Sequence, residues 1–63
     1  MKYSELHKLL REAGCYVYRN GKRHPIWINP KTGALFETGY HESEEVKKGT
    51  LRSIMKLSGL DLL

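Results

Sequence analysis

Residues 15–38 read CYVYRNGKRHPIWINPKTGALFET. Runs of β-formers alternate here with clusters of turn residues, and that rhythm decides the fold. Cys15–Arg19 is a first strand, with Cys15 and Val17 on one face and Tyr16 and Tyr18 on the other. Asn20-Gly21 is a tight-turn signal. Residues 24–28 form a second strand, in which Pro25 marks an edge or the strand's first residues. Asn29-Pro30-Lys31-Thr32-Gly33 is a second turn, and residues 34–38 are a third strand. Loops this short give an antiparallel meander.

A helix flanks the meander on each side. Upstream, Ser4 reads as an N-cap before Leu6, Leu9, Leu10 and Ala13 at helical spacing. This helix spans about residues 4–13. Gly14 supplies the left-handed residue past its end, with Cys15 folding back on Leu10. Downstream, residues 39–49 read as loop. Thr50 caps a second helix with Leu51, Ile54, Met55 and Ser58 on one stripe. Gly59 ends it by the same device, with Leu60 packing back on Met55. The order predicts an α+β domain of α-β-β-β-α type, a three-stranded antiparallel sheet with two helices on one face.

The chain of 63 residues is a single domain, residues 1–63. A domain this small buries only about 60% of its unfolded surface, so a partner would add stability. The lone Cys15 excludes an internal disulfide and a cysteine-rich zinc site. It is expected as a packed thiol. No apolar run approaches the roughly 20 residues that span a bilayer. Met1-Lys2-Tyr3-Ser4-Glu5 leads into an amphipathic pattern, not a signal peptide. The expected location is cytoplasmic, without membrane contact.

The net charge of +4 favours an acidic partner, either nucleic acid or an acidic protein surface. The charge is uneven. Arg19, Lys22, Arg23 and His24 lie together without an acid, whereas Glu42, Glu44 and Glu45 crowd residues 42–45. Histidine titrates near neutral pH, so His24 can take or give a proton under cell conditions. It could accept the proton of a ribose 2′-hydroxyl or donate one to a leaving 5′-oxygen. Lys22 and Arg23 could hold phosphate or simply be solvated hairpin charges, with Arg19 and Lys31 as weaker candidates. Trp27 could stack on a base or sit in the core. Lys47, Lys48 and Arg52 cluster at the second helix start, where they could meet phosphates or simply be solvated. His7, beside Lys8, is expected on the surface, and His41 in a loop. No residue cluster has metal-ligand spacing, so no metal or cofactor is expected.

The element order, the Gly21-x-x-His24-x-x-Trp27 segment and the endings Ser4-Glu5-Leu6…Gly14 and Lys47-Lys48-Gly49-Thr50-Leu51…Gly59-Leu60 together resemble the HicA toxins of bacterial toxin–antitoxin systems. The resemblance covers essentially the whole chain. It implies a double-stranded-RNA-binding-domain-like fold, an endoribonuclease acting on mRNA, and silencing by a HicB-type antitoxin. The family's active histidine maps onto His24. Many relatives carry Gly-Ser-His there, where this chain has Lys22-Arg23-His24. Many carry Pro-Arg-His after the third strand, where this chain has Gly39-Tyr40-His41. Two other functions fit the residues alone. One is a non-catalytic RNA-binding module that reads shape and phosphates. The other is a partner-binding subunit with no RNA role.

Overall fold

The computed structural model describes residues 1–62. Its elements are α1 (Tyr3–Glu12), β1 (Tyr16–Asn20), β2 (Pro25–Asn29), β3 (Ala34–Glu37) and α2 (Lys48–Ser58). The strands form one antiparallel sheet in the order β1-β2-β3. Trp27 and Phe36 are cross-strand neighbours on one face. They share a single buried cluster with Leu6 and Leu10 of α1 and Leu51 and Ile54 of α2. Both helices therefore cover the same face, as the element order predicts. No helix among the described residues is long and apolar enough to cross a membrane.

The helix ends show which local signals were used. At the end of α1 the Cys15 N–H donates to Leu10 O (2.9 Å) and the Gly14 N–H to Arg11 O (3.0 Å). This is the Schellman pairing, and Gly14 takes a φ of 94° to make it. The end of α2 uses a simpler device. A single Gly59 N–H bond to Met55 O (2.9 Å) closes the turn, with Gly59 at φ 74°. Ser58 is buried because its carbonyl accepts the Asn29 side-chain N–H at 2.8 Å, which ties α2 to the β2–β3 turn.

The expected N-caps are not used. The cap positions are Lys2 and Lys47, neither with a side-chain cap bond, so Ser4 and Thr50 lie inside their helices. At α1 the loop after β3 does the capping instead. Its Glu44 and Glu42 carbonyls accept the Tyr3 and Ser4 N–H groups, each at 3.0 Å. The N-terminal ammonium also meets Glu45 Oε2 at 2.9 Å. Its hydrogen bond, and next its positive charge, hold the Glu45 carboxyl below the usual carboxylate range.

Strand β1 departs from the expected alternation. Register slips between Val17 and Arg19, leaving Tyr18 as a bulge, and all of β1 is exposed at the sheet edge. Cys15 precedes β1 and is buried in the core at the α1 end. The tight Asn20-Gly21 turn does not form. Asn20 pairs with Pro25, residues 21–24 make the loop, and Gly21 does not have positive φ.

His7 is a further correction, because it is 4% exposed and not on the surface. Its Nε2 lies 2.9 Å from Thr38 Oγ1, which also accepts the Trp27 indole N–H at 3.0 Å. The other ring nitrogen, Nδ1, lies 3.3 Å from Glu42 Oε1, so both nitrogens have a hydrogen-bonding partner. His7 also lies against the Trp27 ring, with centroids 5.1 Å apart. This chain ties α1, β2 and the loop after β3 together.

Candidate active site

His24 is the last residue of the β1–β2 loop, and the loop holds it by its backbone. The Gly21 N–H donates to the His24 carbonyl at 3.0 Å. The Gly21 carbonyl in turn accepts the Tyr40 hydroxyl at 2.6 Å. A Cβ at position 21 would lie 2.5 Å from the His24 carbonyl oxygen, so this close approach requires glycine. On the other side, the Thr38 N–H donates to Pro25 O at 3.2 Å. The carbonyls of His24 and Pro25 are thus both held, while the His24 side chain remains 52% exposed.

The imidazole opens on a cleft of about 720 Å³ between the β2–β3 hairpin and α2. Glu37 lies on its own wall, with Oε2 3.9 Å from His24 Nδ1. Lys47, Thr50 and Ser53, at the start of α2, line the opposite wall. The cleft thus combines a group able to move a proton, a cation and hydroxyl donors around a space open to solvent. A cation and hydroxyl donors so placed can meet negative charge on an anion bound there. Tyr3 also lines the cleft. Burial, and secondarily the Glu44 carboxylate, raises its phenol above the usual value, so it stays a hydrogen-bond donor.

The cations singled out from the sequence separate. Lys47 is in the cleft. Lys22 and Arg23 are exposed on the loop beside His24 but outside the cleft lining, and so is Lys48 on α2. Trp27 is a correction. It is 1% exposed, with Arg11 over its ring at 5.5 Å, and leaves no face for a nucleobase. Its hydrophobic area and its N–H are both satisfied in the core. His41 is exposed in the loop after β3. Cys15 is a buried free thiol, raised in pKa by burial and only partly offset by Lys31.

Sequence reasoning passed over Glu37, Thr50, Ser53 and Tyr40 as site residues. Glu37 was within reach of it, since the hairpin register places Glu37 opposite Ile26, two residues from His24. Nothing in the local sequence marks the Tyr40 contact, which joins residues 19 positions apart.

A family model described as the HicA toxin of bacterial toxin–antitoxin systems matches residues 3–60. No curated protein and no solved structure gives a significant match. The family match spans nearly the whole chain and agrees with the helix, three-strand, helix order: this chain belongs to the HicA toxin family of bacterial toxin–antitoxin systems.

Proposed function

We propose that this toxin is a metal-independent endoribonuclease that cleaves mRNA through His24. The observation that carries the reading is the half-exposed His24 imidazole opening on a cleft whose far wall holds Lys47, Thr50 and Ser53. In this mechanism the ribose 2′-oxygen attacks the adjacent phosphorus and its proton passes to His24. The bond from phosphorus to the 5′-oxygen breaks, and that oxygen takes up a proton. The products are a 2′,3′-cyclic phosphate and a 5′-hydroxyl. Lys47 meets the phosphate charge, and acid–base help from His24 is worth about 10²–10⁴-fold. Lys22 and Arg23 attract the RNA backbone at longer range, and Lys48 extends that field along α2. No metal is required, and among the described residues no group of three or more His, Cys, Asp or Glu side chains could hold one.

The partner is a HicB-type antitoxin, and toxin and antitoxin act in the cytoplasm. The exposed cations Arg19, Lys22 and Arg23 favour an acidic face on that partner, which would hide His24 and exclude RNA together. The test is incubation of purified toxin with RNA in excess EDTA, followed by analysis of the product ends. Cleavage with cyclic phosphate ends supports the reading. Activity lost on chelation and restored by a divalent ion would overturn it, and RNA binding without cleavage would favour a non-catalytic module.

A further inference from the structure

The geometry points to Glu37 as the positioning residue for His24, selecting which ring nitrogen meets the RNA; this rests on the endoribonuclease reading above. The main chain around His24 is fixed by the Gly21 N–H on its carbonyl and the Thr38 N–H on Pro25 O. Rotation of the side chain is the freedom left to the imidazole. Glu37 stands beside it. Its place in the ladder opposite Ile26 is set by the β2–β3 register, and its Oε2 lies 3.9 Å from Nδ1.

A neutral imidazole carries one proton, and the partner of one nitrogen decides which nitrogen holds it. A carboxylate accepts only, so a hydrogen bond from His24 to Glu37 places the proton on Nδ1. The Nε2 lone pair is then free to face the cleft and take the 2′-hydroxyl proton. The opposite tautomer would present an N–H where a base is needed. The pair stands just outside hydrogen-bond distance, and a side-chain rotation of the exposed Glu37 closes the gap when RNA fills the cleft. Solvent reaches both side chains, at 52% and 64% exposure, so the charge attraction is screened. The contribution of Glu37 is therefore orientation and tautomer.

The test uses the full chain labelled with ¹⁵N. Long-range ¹H–¹⁵N correlation reads the His24 tautomer, and steady-state cleavage gives kcat and KM for wild type, Glu37→Ala and Glu37→Gln. Wild type and Glu37→Gln should hold the Nδ1–H form, since the carboxamide oxygen still accepts. Glu37→Ala should move to the Nε2–H form and lose about 10–100-fold in kcat, with KM unchanged. Glu37→Gln should recover most of that loss. An Nε2–H wild type, or a Glu37→Ala variant unchanged in tautomer or kcat, would overturn the role of Glu37 alone. A His24→Ala variant that still cleaves would instead overturn the site reading and this role with it.

Discussion

Replacing Gly21 with alanine should displace His24 without unfolding the domain. The new Cβ would lie 2.5 Å from the His24 carbonyl oxygen, a backbone atom with no side-chain freedom to yield. The two chain segments must therefore part, and the 3.0 Å Gly21–His24 hydrogen bond goes with them. Overpacking of this kind costs about 1–3 kcal/mol, and a lost hydrogen bond about 1 kcal/mol. The loop is exposed and can relax, so the net loss should sit near the lower end, at about 1–2 kcal/mol. In a domain this small each kcal/mol lowers Tm by about 4–8 °C. Cleavage should suffer more than stability, because a misplacement of about 1 Å can cost ~10²-fold in rate. The assay pairs thermal unfolding by circular dichroism with RNA cleavage. Gly49→Ala is a comparison for stability alone, since Gly49 lines the cleft: it lies in the first turn of α2, has no atom within 4 Å of a new Cβ and does not have positive φ, so its Tm should not fall. A Gly21→Ala protein with wild-type cleavage and Tm would refute the argument that this close approach holds His24 in place.

The buried polar chain gives a second prediction: Thr38→Val leaves the Trp27 N–H and His7 Nε2 without their shared partner, which should destabilise the domain by about 1–3 kcal/mol in denaturant titration. Stability should also fall as pH rises above about 9, because the Cys15 thiol and the Tyr3 phenol are both raised in the native state. The unfolded chain releases those protons first, so it gains relative to the native state; a melt series from pH 7 to 10 with no decline would contradict this. Lys22→Glu combined with Arg23→Glu should weaken RNA and antitoxin association in parallel and make both on-rates less salt-sensitive. Unchanged antitoxin binding alongside lost RNA binding would separate the two surfaces.

The element order was legible because periodicity changes along the chain, from helical spacing at Leu6–Ala13 to short β-forming runs and back. Gly14, Gly33 and Gly59 take the positive φ that their turn contexts imply. The failures at Ser4 and His7 share a cause, a partner distant in sequence. Ser4 does not cap α1 because the loop at Glu42 and Glu44 reaches its first N–H groups. His7 is buried because Thr38 and Glu42 satisfy both ring nitrogens, although its spacing from Tyr3 and Leu10 already put it beside the apolar stripe. The β1 bulge at Tyr18 has no local signal that would cancel the alternation of residues 15–19. In the site, the segment from Gly21 to Trp27 pointed to His24, but segment proximity could not separate Lys47, which enters the cleft, from Lys22 and Arg23, which do not line it.

The most direct test of the account is single-turnover cleavage of a short RNA in EDTA by wild type and His24→Ala, with folding checked by circular dichroism and RNA affinity measured in parallel. His24→Ala should fold, still bind RNA and lose about 10²–10⁴-fold in rate. Cleavage by folded His24→Ala at near the wild-type rate would contradict it.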